Sequence, residues 1–395
     1  MEGRIDWERR SRGDGSMKVD LEPIRRLLER LGAPHTRFRA VHVAGTKGKG
    51  SVASLVELAA RDAGSRTGLF TSPHVEDWTE RIRLNGEPIS ESLFAAGLEE
   101  VLAVADEHAT WFDCLTAAAF LIFAHQGVDL AVVEVGLGGR LDSTNALPPC
   151  VACVTNIDLE HTEILGSTRE AIAFEKASIA KPGGVLVSSV GAPGDPAAQV
   201  VRDLAEQHGA RFVDAHLAGD ATIDERNLHL ARALVRELGL PSAPLDDPRA
   251  LDRARLPGRL ERAEFRGLPV VLDGAHVASS LALVLEASPS DPRLERPPTV
   301  LFGARPDKDL ESLVGALANR VELVLAPRWD ERTHAPASIV AAAKRHGIAA
   351  QAVDSVDSAL ELAGQTAAWL LVTGSLHFVG AVRPRLRELQ PPFDS

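Results

Sequence analysis

The sequence predicts an α/β protein in two domains, an N-terminal one over residues 1–255 and a smaller C-terminal one over 256–395. Three observations lead there. Short apolar runs alternate with helical patterns along nearly the whole chain, the rhythm of strand–helix–strand units on open, mostly parallel sheets. At 395 residues the chain is too long for one ordinary core. Finally, the apolar run Val41–Ala44 ends in Gly45-Thr46-Lys47-Gly48-Lys49-Gly50-Ser51, directly before an alanine-rich helical pattern from Val52 to about Arg61. In such a strand–turn–helix the glycines let backbone N–H groups approach a phosphate, the helix N-terminus adds positive dipole, and Lys49 brings a mobile charge. A glycine-rich turn with no ligand is the plain alternative, because the usual G-x-x-x-x-G-K spacing is not met: Val43 stands where its first glycine would be.

Hydrophobic residues make up 45% and charged residues 25% of the chain, values of a soluble globular protein. The net charge of −12 argues against general nucleic-acid or anionic-membrane binding, so an anionic substrate needs a local basic pocket. No apolar stretch approaches the ~20 residues that span a bilayer. The first residues lack the apolar core of a signal peptide, and a cytoplasmic protein is expected. Three cysteines cannot complete a disulfide framework, and Cys150 and Cys153 read as buried strand residues at the start of an apolar run.

In chain order, residues 1–19 are charged and irregular, and Met17 offers an alternative start. Leu21–Leu31 has helical apolar spacing closed by Gly32, and Thr67–Phe70 reads as a short strand running into Thr71-Ser72-Pro73-His74. Asn85-Gly86 is a hairpin turn, and Arg81 and Arg83 before it are either solvated strand residues or substrate contacts. Phe112 opens a helix to about His125, and Ala131–Val135 is a buried strand that delivers Glu134 beside Gly136-Leu137-Gly138-Gly139-Arg140. A carboxylate at the C-terminal end of a parallel strand points into the crevice where such sheets bind ligands, and a buried one needs a cation. Val151–Ile157 is the next strand, then Asp158-Leu159-Glu160-His161, then a helix carrying Glu175-Lys176. Strand, helix, strand, helix follows from Gly183 to Leu240, and Pro241–Pro248 is a surface connection. Val270–Leu272 ends in Asp273-Gly274-Ala275-His276, where a helix cap in a βα turn is the plain alternative reading of Asp273. From Thr299 to Leu376 the alternation continues as a second open sheet.

The glycine loop, Thr71-Ser72-Pro73-His74, Arg81-Ile82-Arg83-Leu84-Asn85-Gly86-Glu87-Pro88-Ile89-Ser90, Glu134–Asn145, Leu256-Pro257-Gly258-Arg259, Asp307-Lys308-Asp309 and Thr373-Gly374-Ser375 together resemble the folylpolyglutamate synthase and dihydrofolate synthase family of the Mur ligase superfamily, from about Leu21 to Leu386. The resemblance implies an N-terminal P-loop-type ATPase domain and a Rossmann-like C-terminal domain. It implies ATP bound by Gly45, Thr46, Lys47, Gly48, Lys49, Gly50, Ser51, Asn227, Arg259, Asp273 and His276. It further implies Mg²⁺ on Ser72 and Glu134, a second Mg²⁺ on His161, and a carbamylated Lys176 as a further metal ligand. The catalytic set is then Lys49, His161 and Lys176. Departures stand at Lys47 (usually Asn), Asp113 (usually Glu), Glu160 (usually Asp), Ile223-Asp224 (usually His-Gln) and Val277-Ala278 (usually Asn-Pro).

By the same resemblance the reaction is ATP-dependent addition of L-glutamate to a pterin or folate carboxylate through an acyl phosphate, with a monomer expected. Closure of the two domains would complete the site. Phosphoryl transfer needs positioning and charge neutralisation more than covalent help, and these residues supply both. The alternatives are a ligase for another carboxylate and a degenerate member that binds nucleotide without ligating.

Overall fold

The computed structural model describes residues 20–192, 194–287 and 292–388, so the expectations for residues 1–19, Met17 included, lie outside the described residues. It divides into two compact units, one ending at Ala254 and the other beginning at Arg255.

In the first unit, β1 (Arg39–Ala44), β2 (Thr67–Phe70), β3 (Ile82–Leu84), β4 (Glu87–Pro88), β5 (Leu130–Glu134), β6 (Val151–Val154), β7 (Val185–Ser188) and β8 (Arg211–Asp214) form one sheet in the order β4-β3-β2-β5-β1-β6-β7-β8. The pairs from β2 through β8 are parallel, whereas β3 and β4 are an antiparallel edge. The turn between those two is the expected Asn85-Gly86, both residues at positive φ (49° and 85°). Side chains alternate across the sheet. Ala131 and Val133 of β5 join one apolar cluster with Ile24, Leu28, Leu115 and Phe120, while Ala152 and Val154 of β6 join another with Ile172, Val201 and Leu186. Each large side chain so buried contributes about 1.5–3 kcal/mol, and the sheet is thereby clamped between two helical layers.

β1 lies between β5 and β6, and the chain leaves it toward β2 on one side and later returns to β6 on the other. Such a reversal of strand order opens a crevice beyond the carboxyl ends of the strands, which here carry the glycine loop, Glu134 and Thr155-Asn156.

The second unit holds β9 (Glu261–Phe265), β10 (Leu268–Leu272), β11 (Thr299–Phe302), β12 (Leu323–Pro327), β13 (Ala350–Val353) and β14 (Leu370–Thr373), ordered β13-β12-β11-β14-β10-β9. All its pairs are parallel except β9–β10. Its core gathers Val300, Phe302, Leu313, Val324, Ile339 and Leu371.

Candidate nucleotide and metal site

The glycine loop is fastened from beneath by the segment after β6. Thr46 N–H donates to Asn156 O at 3.0 Å and Lys47 N–H to Asn156 Oδ1 at 2.8 Å. In return Lys47 O accepts from Thr155 Oγ1 at 2.6 Å and from Asn156 Nδ2 at 3.0 Å. Thr46 Oγ1 accepts from Asp158 N–H at 3.0 Å, and Lys47 Nζ lies 3.4 Å from Asp158 Oδ2. The donors of Thr46 and Lys47 are thus spent on holding the loop, which leaves those beyond them to face an anion. Gly45 and Gly48 have φ of 146° and 79°. A Cβ would stand 1.8 Å from Thr155 Oγ1 at the first and 2.4 Å from Asn227 Oδ1 at the second, so only glycine passes here. Asn227 is buried on the helix Ile223–Glu237 and walls the loop at Gly48.

Gly48 is the N-cap of the helix Lys49–Asp62, with no side chain capping it and no acid in its first turn. The first N–H groups, those of Lys49, Gly50 and Ser51, therefore keep their capacity for an anion. Lys49 Nζ folds back on the loop, donating to Gly45 O at 3.0 Å and Thr46 O at 3.3 Å. Lys176, in the last turn of the helix Arg169–Ala177, donates through Nζ to the same Gly45 O at 2.8 Å. It is 4% exposed. Burial, aided by the charge of Lys49 and opposed by Glu160 and Asp142, brings its ammonium pKa down to about 7. An amine poised there is substantially neutral at physiological pH.

Ser72 N–H donates to Glu134 Oε2 at 3.1 Å, so the ends of β2 and β5 bring together the two residues predicted to share a metal. Both supply hard oxygen donors of the kind Mg²⁺ takes, and buried Glu134 gains from a cation beside it. His161 sits at positive φ (52°) ahead of the short helix Thr162–Leu165, its Nε2 4.0 Å from Glu160 Oε1. Among the described residues no group of three or more His, Cys, Asp or Glu stands ready to hold a metal unaided. The ligand set described here would need oxygens from a phosphate to complete it.

The sequence reading missed several supports. Asp142 accepts from Leu137 N–H at 2.8 Å and Thr144 N–H at 3.1 Å, bracing the loop after Glu134; burial raises its carboxyl pKa against those hydrogen bonds. Thr144 Oγ1 in turn meets His42 Nε2 at 2.8 Å inside the sheet. Arg81 is not a solvated strand residue. It ends a 3₁₀ turn, is 1% exposed, donates to His74 Nδ1 at 2.8 Å, and lies 5.0 and 5.2 Å from the rings of Trp78 and Trp111. Tryptophans three residues upstream and thirty downstream give no periodic signal that would betray such a cage.

In the second unit, Asp273 does not cap a helix, since the N-cap of the next helix, Ala278–Glu286, is Val277. Its carboxylate instead accepts from Leu260 N–H at 2.9 Å and Ala275 N–H at 2.8 Å; burial raises its pKa while the Arg259 charge opposes. His276 Nδ1 stands 3.0 Å from Gly274 O. These three predicted residues thus gather at the end of β10.

The Mur ligase middle domain family matches residues 43–235, and the Mur ligase glutamate ligase domain family matches 258–376. The fold and these two matched domains define a Mur-type ATP-dependent ligase. The dihydrofolate synthase/folylpolyglutamate synthase of Bacillus subtilis is 31% identical over 94% of this chain and 97% of its own. A probable bifunctional folylpolyglutamate synthase/dihydropteroate synthase of Haloferax volcanii is 33% identical over 93% of this chain, which spans about half (48%) of that relative. The crystal structure of the bifunctional folylpolyglutamate synthase/dihydrofolate synthase of Yersinia pestis, complexed with AMPPNP and a Mn ion, superposes with a TM-score of 0.80 at 26% identity over 95% of both chains. The chain belongs to the folylpolyglutamate synthase/dihydrofolate synthase family. Among the described residues no helix is long and apolar enough to cross a membrane.

Proposed function

We propose that this protein ligates L-glutamate to a folate-type carboxylate at the expense of ATP, acting on dihydropteroate, on reduced folates, or on both. The observation that carries the reading is the convergence of Lys49 and Lys176 on Gly45 O, with Ser72 and Glu134 joined at the neighbouring strand ends. The loop N–H groups and Lys49 hold the β/γ-phosphates. The substrate carboxylate attacks the γ-phosphorus, ADP leaves, and the acyl phosphate is then attacked by the glutamate amine with loss of phosphate. Ser72 and Glu134 would hold one Mg²⁺, and His161 with Lys176 a second. Bound there, Mg²⁺ neutralises phosphate charge and orients the attack. Arg259, Asp273 and His276 are assigned to the nucleotide on their match with the family's motifs.

Lys176 is proposed to act as a carbamate: its neutral amine adds to CO₂, forming an N–C bond and releasing one proton, and the amine becomes an anionic oxygen donor. The pKa near 7 supports this, because only the neutral amine reacts.

Phosphate release from Mg-ATP with glutamate, measured with dihydropteroate or tetrahydrofolate, tests the function. Release dependent on glutamate with one pterin assigns that branch, and with both a bifunctional enzyme. ATP binding without release under either condition overturns the proposal in favour of nucleotide binding alone or another acceptor.

A further inference from the structure

Lys176 occupies the final turn of a helix of nine residues, where the last backbone carbonyls have no partner within the helix. What fixes that turn comes from the loop after β5. Arg140 N–H donates to Glu175 O at 2.8 Å, satisfying a carbonyl that the helix end leaves over. The Arg140 guanidinium reaches Glu175 Oε1 through both Nε and Nη2 at 2.9 Å, and its Cζ lies 5.8 Å from the centre of the Phe174 ring. Beside it, a Cβ on Gly139 would fall 2.7 Å from Glu175 O and 3.1 Å from Lys176 Cα, so this loop rests directly on the backbone of the lysine. Phe174 is 45% exposed and the Arg140 side chain 42% exposed, so this grip is not a by-product of core packing.

We propose that Arg140 is a positioning residue: through its ion pair with Glu175 and its stacking on Phe174 it holds the helix end so that Lys176 Nζ is delivered to the Gly45 carbonyl. Arg140 acts through residues 174 and 175, not by contact with the phosphates. The inference rests on the proposed ligase reading, and one of its readouts also rests on carbamylation of Lys176.

The test compares Arg140→Gln, Glu175→Gln, the double variant and the exchanged pair Arg140→Glu/Glu175→Arg in the full chain, with thermal unfolding followed for each. A charge-assisted pair of this exposure predicts kcat lower by about 3–10-fold in each single variant, with KM for ATP within about 2-fold of wild type. The double variant should be no worse than either single, and the exchanged pair should recover most of the loss, because the two side chains act as one unit. With ¹³C-bicarbonate, the carbamate resonance of Lys176 should need about 3–10-fold more bicarbonate for half occupancy in the single variants. Wild-type behaviour of Glu175→Gln beside a loss in Arg140→Gln, or additive losses in the double variant, would overturn the proposal. Absence of any carbamate resonance in the wild type would sink carbamylation alone, and the kinetic cycle would still decide the role of Arg140. No glutamate-dependent turnover in the wild type would instead count against the ligase reading; the interaction between the two sites would then be read from the reactivity of Lys176 toward acetic anhydride, where equal reactivity in all four variants overturns the clamp.

Discussion

The ammonium groups of Lys49 and Lys176 end on one acceptor, the carbonyl oxygen of Gly45, at 3.0 and 2.8 Å. The charge of Lys49 disfavours the charged form of Lys176 and is the second cause, after burial, of its lowered pKa. Replacing Lys49 by Met should therefore move the midpoint for chemical modification of Lys176 upward from about 7. Acetic anhydride labelling against pH, read by mass spectrometry, checks this; an unmoved midpoint would show that the two amines are not coupled.

Alanine at Gly45 or Gly48 should disable the loop, since each position needs positive φ and leaves no room for a Cβ. Strained backbone of this kind costs on the order of 1–3 kcal/mol before any clash is counted. We expect lower thermal stability and loss of ATP binding by calorimetry in both variants. Full ATP affinity in Gly48→Ala would mean that Asn227 moves aside freely.

The parts legible in the sequence are those where one local pattern carries both element and chemistry. The Val41–Ser51 run and Glu134 at the end of an apolar run mark the crevice because strand, turn and function coincide there. The pairing of His42 with Thr144 was not legible, since it joins positions 102 residues apart and no spacing encodes that. Arg140 reads as a loop residue until the helix end at Glu175 is brought beneath it. The same limit hid Arg81: a cation inside an apolar cage breaks the rule that charge marks surface, and only its three-dimensional partners explain it.

Lys47 to Asn should change folding little and nucleotide binding more. Its pair with Asp158 spans 3.4 Å and Asp158 is 57% exposed, so the ion pair itself contributes at most about 1 kcal/mol. With ATP bound, the variant lacks one cation beside the phosphates. Its Kd for ATP should be several-fold weaker at low salt, and the difference should shrink at high salt as screening grows. A difference that is independent of salt would assign Lys47 a packing role only.

Glu134 to Gln keeps the size and the acceptor for Ser72 N–H but removes the charge that a divalent cation needs. Phosphate release should fall by about 100-fold or more at ordinary Mg²⁺ and be partly restored at high Mg²⁺, as for a ligand rather than a scaffold residue. Turnover that is lost without any response to added Mg²⁺ would remove Glu134 from the metal site.

His42 supplies a pH dependence whose sign is fixed. It is fully buried in β1, with Nε2 at Thr144 Oγ1 and Nδ1 lacking a hydrogen-bond partner. Burial, and secondarily the charge of Lys181, pulls its pKa down to about 3 from 6.5. Between those two values the unfolded chain binds a proton that the folded chain refuses. This contribution is therefore fully present above pH 6.5 and is lost as pH falls toward 3. At 1.36 kcal/mol per pKa unit the whole window amounts to roughly a few kcal/mol. His42→Gln should cost roughly 1–3 kcal/mol at pH 7 through imperfect pairing with Thr144. Because the variant has nothing to titrate there, the gap to wild type should narrow in urea denaturation at pH 5.5 and again at pH 4.5. A gap that stays constant or widens toward acid would show that another group, not His42, sets the acid stability of this sheet.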